Sequence, residues 1–230
     1  LNPIAAWVMK QFSPESVIKL ARSMGIKSNI PNYPSICLGV ADVKLSEMVE
    51  AYTTFVNNGI HTEPLYVTRI EDHNGNILAS FSAKKTEALS EETAYLMRHM
   101  LETVTRRGTA VGLRYKPYGF KAEIGGKTGT TQNHSDGWFM GITPYLVSGA
   151  WVGCEDRAAH FRGIYYGQGA RMALPIWANY MKKVYDDSTL YYSQDDKFVD
   201  PSVIIDVETD CGRYEQENMD EFKDFDLIEE

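Results

Sequence analysis

Three strand-forming segments follow one another between residues 123 and 154, and the first limits what this chain can fold into. It reads EIGGKTGTT and places three glycines, one lysine and three threonines within nine residues. The next two segments, DGWFMGIT and YLVSGAWVGC, are rich in aromatic and β-branched residues, and Thr143-Pro144 separates them with a strong turn signal. Together they predict a meander of three antiparallel strands.

Predicted helices precede and follow this meander in the sequence. Ser13 and Ser90 precede amphipathic runs as N-caps, and Ser46 is predicted to cap a third helix that ends at Asn58-Gly59. Residues 3–12 and the run GARMALPIWANYMKKVY predict a first and a last helix. This order predicts an α+β fold in which helices cover an antiparallel sheet, and it disfavours a βαβ dinucleotide-binding fold.

The remaining segments predict a hairpin, a loop and an acidic extension at the C-terminus. Asn74-Gly75 lies between β-branched runs and predicts a β-hairpin, whereas the prolines of residues 29–35 predict a loop. Residues 186–230 carry 16 Asp and Glu against 3 Lys and Arg, so the chain is predicted to divide into a body, residues 1–185, and an acidic extension, residues 186–230. Within the extension, only Val203–Val207 offers an apolar patch that can dock as a short strand.

Composition excludes several classes of function. No basic stripe with interleaved aromatic residues is present, so a nucleic-acid partner is not expected. No apolar run reaches 18 residues, the length that spans a bilayer. Cys37, Cys154 and Cys211 lack metal-binding spacing, so no metal is expected; a Cys154–Cys211 disulfide, which would tie the extension to the sheet, stays open.

The stretch Lys127–Thr131 has the chemistry of a strand edge that binds an anionic peptide. Alternation places Lys127 and Gly129 on one face and Thr128 and Thr130 on the other. The hydroxyl groups can donate to a carboxylate, and N–H groups beside Gly129 can form half of an oxyanion hole. A glycine-bent strand with surface threonines is the alternative, whereas a phosphate loop is disfavoured because the GxxxxGK[ST] spacing is absent.

GGKTGTTQNHSDGWFMGITP resembles the strand region of the class A, bifunctional penicillin-binding proteins, whose K-T-G box works with S-x-x-K and S-x-N boxes. The resemblance covers residues 1–183 and implies part of a transpeptidase domain with the penicillin-binding protein/serine β-lactamase-like fold. Further segments agree with that family in the same order: SPESVIKLARSMGI, YPSICLGVADVKLSEMVEAYTTFVNNG, EPLYVTRIEDHNGNIL, RRGTA and MALPIWANYM.

The resemblance also implies a role for individual residues. Lys127 would orient the substrate and tune proton transfer. Leu1-Asn2 would be the end of an S-x-N box, so that Asn2 hydrogen-bonds the substrate amide. Thr128 and Thr130 would bind the substrate carboxylate, and the Thr130 N–H would complete an oxyanion hole. The substrate-binding residues would be Thr128, Gly129, Thr130 and Thr131.

The nucleophile itself is not expected in this chain. Ser16–Lys19 and Ser82–Lys85 match S-x-x-K, but both are interpreted as chance matches. The chain starts at Leu1 without an initiator methionine, so it is predicted to be a piece of a longer protein and inactive alone. His134-Ser135-Asp136 are neighbours in sequence and predict a polar loop, because the members of a catalytic triad come from separate segments.

The implied function is a peptidoglycan D,D-transpeptidase that acts by acyl-serine transfer on D-Ala-D-Ala stem peptides and is the target of β-lactams. No cofactor is required. Implied partners are the stem peptides and the missing N-terminal part, with a glycosyltransferase domain and an anchor at the extracytoplasmic face of the bacterial cytoplasmic membrane. The alternatives are a β-lactamase-like hydrolase and a non-catalytic peptide-binding or β-lactam-sensing module.

Overall fold

The structure, a computed structural model, describes residues 2–209. No helix within that range has the length and apolar character needed to cross a bilayer. The helices are α1 Asn2–Gln11, α2 Pro14–Ser23, α3 Leu45–Val56, α4 Glu91–Arg106, α5 Ile164–Gly167 and α6 Gly169–Asp186. The strands are β1 Ile60–Thr62, β2 Arg69–Glu71, β3 Ile77–Ser80, β4 Lys85–Glu87, β5 Gly125–Thr130, β6 Asp136–Ile142 and β7 Val147–Gly153.

The predicted meander forms the central sheet, with strand order β5-β6-β7 and antiparallel pairing throughout. Trp138 of β6 lies opposite Gly129 of β5 on one side and Trp151 of β7 on the other. The predicted hairpin is present as the β2-β3 pair, and β1 pairs with β4. The α+β class is therefore confirmed, with β5 at an edge of the sheet.

Helices cover both faces of this sheet. Helix α6 packs on one face against all three strands. Helix α4 contacts β5, and α3 contacts β6 and β7. Phe139 of β6 meets Trp177 of α6 edge to face, with ring centroids 5.1 Å apart, and both side chains are almost fully buried. On the opposite face, Ile142 lies next to Leu101 of α4. Burial of each such side chain stabilises the fold by about 1.5–3 kcal/mol.

Most predicted helix ends are confirmed, but one cap is wrong. The hydroxyl oxygens of Ser13 and Ser90 accept the backbone N–H three residues later, as N-caps do. Helix α3, however, begins at Leu45, so Lys44 occupies the cap position and Ser46 lies inside the helix. The Leu45 side chain packs beside Gly149 of β7. This tertiary contact favours a helix start two residues closer to the N-terminus than the sequence predicts.

Two other expectations need correction. The loop predicted at residues 29–35 ends in a 3-10 turn at Pro34–Leu38. Val203–Val207 does not form a strand, and Ile204 is 91% exposed. Cys211 lies outside the described residues, and with it the disulfide that the sequence left open.

Residues 190–202, here called the C-terminal strap, lie along α4 and the chain leading into β5. Every second strap residue from Tyr192 to Phe198 is partly buried, and the residues between them are exposed. The Phe198 N–H donates to Glu123 at 2.8 Å, and Arg98 of α4 donates to the Val199 carbonyl at 2.8 Å while its guanidinium lies over the Phe198 ring.

Deleting residues 190–230 is expected to destabilise the chain, because it uncovers Arg98 and leaves Glu123 without its strap partners. We expect the melting temperature to fall on the order of 5 °C in a calorimetric scan. Deletion of residues 210–230 is the control, since it leaves every described strap contact in place. Equal melting temperatures for the two truncated chains would show that the strap adds no stability.

Candidate active site

The outer edge of β5 presents main-chain groups to solvent. The Thr131 N–H donates to the Asp136 carbonyl at 3.3 Å, which marks these two residues as a hydrogen-bonded antiparallel pair. Because such pairs alternate along a ladder, the main chains of Lys127 and Gly129 face β6. The N–H and C=O groups of Thr128 and Thr130 therefore point to the open edge, where an extended ligand can pair with them.

The side chains of β5 alternate between the two faces of the sheet. A Cβ atom added at Gly129 would lie 3.0 Å from the Trp138 Cβ, so Gly129 shares a face with Trp138. Thr130 faces α6, where its hydroxyl oxygen accepts the Gly169 N–H at 3.0 Å. Side chains alternate along β5, so Lys127 and Gly129 lie on one face of the sheet and Thr128 and Thr130 lie on the other, as the sequence predicts.

The three threonine hydroxyls of the K-T-G-T-T run have different surroundings. Thr128 Oγ1 lies 2.8 Å from Thr109 Oγ1, and Thr130 Oγ1 accepts from the first residue of α6. Thr131 instead turns into the β5-β6 connection, where its hydroxyl accepts the Asp136 N–H at 3.0 Å and pairs with Ser135. Thr128 and Thr130 are thus available at the edge, whereas the Thr131 hydroxyl holds the turn.

Lys127 lies on the strand with its ammonium group bent back towards the edge. Its Nζ donates to the Thr128 carbonyl at 2.7 Å. The residue is exposed as a whole, but surrounding protein removes part of the water around the ammonium group, and this desolvation lowers the pKa of Lys127. An amine of this kind gives up its proton more readily than a fully hydrated lysine.

The chain leading into β5 is held in place by the half-buried guanidinium of Arg114. Arg114 donates to the carbonyls of Ala122 at 2.6 Å and Phe120 at 3.2 Å, and to the Thr105 hydroxyl at 3.1 Å. Thr105 in turn donates to the Ile124 carbonyl. Burial lowers the pKa of Arg114. These bonds fix the inner end of the strand, while its outer edge stays open.

Other sequence candidates are not joined to this edge. Asn2 is exposed at the start of α1, which packs on Pro34–Leu38, and within residues 2–209 it makes no hydrogen bond with the K-T-G strand. Ser16 lies in the first turn of α2, 3.2 Å from the Ser13 hydroxyl. Ser82 is exposed between β3 and β4. Within residues 2–209, neither serine makes a hydrogen bond with Lys127.

The His134-Ser135-Asp136 run forms a turn, as the sequence predicts. The His134 carbonyl accepts the Phe161 N–H at 3.3 Å, and the Asp136 carboxylate accepts the Trp151 indole N–H at 3.0 Å. A groove of about 760 Å³ lies between α3 and the β6-β7 turn, away from β5, and both apolar and polar side chains line it. Among the described residues, no cluster of His, Cys, Asp and Glu could hold a metal.

The sequence did not identify two groups that the structure places at the edge, Thr109 and the Gly169 N–H. Thr109 belongs to the RRGTA segment, whose resemblance to the family implies no role for its individual residues. The hydroxyls of Thr109 and Thr128 meet although 19 residues separate them. Spacing along the chain carries no signal for such a contact.

Comparison with known proteins gives a consistent result. Residues 32–152 match the model of the penicillin-binding protein transpeptidase domain. Penicillin-binding protein 1A of Aquifex aeolicus is 29% identical over 207 residues, covering 90% of this chain and 27% of that protein. Its counterpart in Neisseria lactamica is 30% identical over 167 residues, covering 70% of this chain and 20% of that protein. The chain thus spans only a small part of these curated relatives.

Solved structures share the fold. Penicillin-binding protein 1A of Haemophilus influenzae matches with a TM-score of 0.70 and 25% identity, over 87% of this chain and 34% of that one. PonA1 of Mycobacterium tuberculosis, solved in complex with penicillin V, matches with a TM-score of 0.65 and 23% identity, over 83% of this chain and 54% of that one. The resemblance and the fold type inferred from the sequence are confirmed.

Replacing Gly169 with alanine is expected to disrupt the contact between α6 and β5. The new Cβ would lie 2.2 Å from the Gly129 carbonyl oxygen and 2.5 Å from that of Trp138, so backbone must shift at a cost of roughly 1–3 kcal/mol. Chemical denaturation measures this loss. Gly163→Ala is the matched control, because a Cβ there meets nothing within 4 Å. Equal stability of both variants would contradict the close packing.

The Lys127 amine is expected to titrate below the ordinary lysine value of 10.5, because desolvation disfavours its charged form. Reductive ¹³C-methylation followed by an NMR pH titration measures this, with the Lys127→Arg variant identifying the resonance and the urea-unfolded chain giving the reference. An apparent pKa at or above the unfolded value would mean that the ammonium group is fully hydrated.

Proposed function

The chain belongs to the family of penicillin-binding protein transpeptidase domains, and on that premise we propose that it is the C-terminal part of a peptidoglycan D,D-transpeptidase domain of class A. The observation that carries the proposal is the open edge of β5. Over the run Lys127–Thr130 this edge offers outward main-chain groups, two hydroxyls and a partly desolvated amine. An extended peptide that ends in a carboxylate matches all of these groups.

In this proposal the stem peptide pairs with β5 as an added strand. The hydroxyls of Thr128 and Thr130 bind the terminal D-Ala carboxylate, and Gly129 leaves room for the peptide backbone. The Thr130 N–H, which points to the open edge, donates to the carbonyl oxygen of the penultimate D-Ala and stabilises negative charge there. Lys127 orients the substrate and takes part in proton transfer.

The reaction is acyl transfer through a serine of the parent protein that lies outside this chain. The serine Oγ bonds to the carbonyl carbon of the penultimate D-Ala, the C–N bond to the terminal D-Ala breaks, and that D-Ala leaves with a proton as the free amino acid. The amine of a second stem peptide then attacks the ester and forms the cross-link, which restores the serine hydroxyl. No metal or cofactor takes part.

The remaining parts of the proposal concern the parent protein. Asn2 contributes to substrate binding once the preceding residues are present, and Thr131 supports the edge from the turn. Residues 1–185 form the C-terminal part of the transpeptidase domain, and residues 186–230 form an acidic extension. A glycosyltransferase domain and a membrane anchor precede residues 1–185 in the parent protein. The anchor holds the protein at the extracytoplasmic face of the bacterial cytoplasmic membrane. β-Lactams react with the same serine as the stem peptide.

Incubation with a fluorescent penicillin tests this function. The 230-residue chain alone is expected to form no covalent adduct, because neither Ser16 nor Ser82 meets Lys127. The parent protein is expected to form a stable adduct on one serine upstream of Leu1, located by peptide mass spectrometry.

Other outcomes separate the alternatives. An adduct on Ser16 or Ser82 would overturn the assignment of the site, and the Ser16→Ala and Ser82→Ala variants identify which serine reacts. An adduct that is hydrolysed rapidly would indicate a β-lactamase-like hydrolase. A parent protein that forms no adduct but binds D-Ala-D-Ala peptides would be a binding module.

A further inference from the structure

Thr109 is held at the edge of β5 by the residues on either side of it. After α4, the N–H groups of Gly108 and Ala110 both donate to the Val104 carbonyl, at 3.1 and 3.2 Å. Ala110 is fully buried in the main core. Thr109 lies between these two anchors on the exposed surface, with its Oγ1 2.8 Å from Thr128 Oγ1. The segment therefore presents one hydroxyl to the strand.

A hydroxyl group has one proton, so only one member of the Thr109–Thr128 pair can donate to the other. If Thr128 donates to a ligand carboxylate, Thr109 has to be the donor within the pair. We propose that Thr109 is a positioning residue, which donates to Thr128 Oγ1 and thereby directs the Thr128 proton to the substrate carboxylate. This inference rests on the proposed function.

The second edge hydroxyl is oriented in the same way by a different donor. The Gly169 N–H donates to Thr130 Oγ1 at 3.0 Å, which leaves the Thr130 proton free. Two residues apart on a strand, the two hydroxyls lie about 6.5 Å apart. A carboxylate with hydrogen bonds of about 2.7 Å to each hydroxyl can bridge that distance. Donors from two other segments thus turn both threonines into donors towards a single anion.

Acylation rates of the parent protein test the role of Thr109. We expect Thr109→Val to slow acylation by a penicillin with a free carboxylate about tenfold, because the hydrogen bond from Thr128 to the charged carboxylate is then no longer directed by Thr109. The penicillin methyl ester, which lacks that charge, is expected to lose less than twofold, and Thr109→Ser is expected to restore the rate. Thr103→Val is the matched control, since the Thr103 hydroxyl bonds the His99 carbonyl on α4.

A double-mutant cycle separates positioning from direct contact. If Thr109 acts through Thr128, the Thr109→Val/Thr128→Val protein reacts as slowly as Thr128→Val alone. Additive losses would overturn the inference, because Thr109 would then contact the ligand itself. So would an unchanged rate in Thr109→Val, or equal losses with acid and ester. If the unmodified parent protein is acylated by neither penicillin, the proposed function fails and this inference fails with it.

Discussion

The close approach of α6 to the β5-β6 pair determines where the site groups lie. Gly169, the first residue of the helix, has its backbone against the main chain of Gly129 and Trp138. A side chain at that position would hold the helix away from the sheet. Because the approach is so close, an N–H from the first turn of α6, which has no partner inside the helix, reaches the Thr130 hydroxyl. Core packing and the proposed carboxylate site therefore depend on the same contact.

The inner end of β5 is fixed by a different interaction, the Arg114 guanidinium. It donates to the Ala122 carbonyl, just before the strand, and to the Thr105 hydroxyl. Thr105 in turn donates to the Ile124 carbonyl. Taking a cation out of water is costly unless its donors find acceptors, and here three carbonyls and the Thr105 hydroxyl accept from the half-buried guanidinium. The strand is thus rigid where it leaves the core and open where a ligand would pair, which is the arrangement that a precise binding site needs.

The contacts of the acidic extension could not be read from its composition. Its excess of carboxylates separates it from the body in sequence, yet the strap is docked on the body. Docking relies on main-chain groups of the strap as much as on its charges: Phe198 and Ser202 donate N–H groups to Glu123 and Glu91. The net charge of a segment gives no indication of such main-chain hydrogen bonds. The apolar patch at Val203–Val207 forms no strand, and Val203, Ile204 and Val207 are exposed.

Local signals account for what the sequence predicts well. The caps at Ser13 and Ser90, the stop at Asn58-Gly59 and the alternation along β5 depend on neighbours within a few residues. The Ser46 cap is wrong because packing of Leu45 on β7 outweighs a local preference. Thr109 could not be identified for the same kind of reason. Its proposed role depends on a hydrogen bond with Thr128, which lies 19 residues away in the sequence. Only the folded chain brings those two oxygen atoms together.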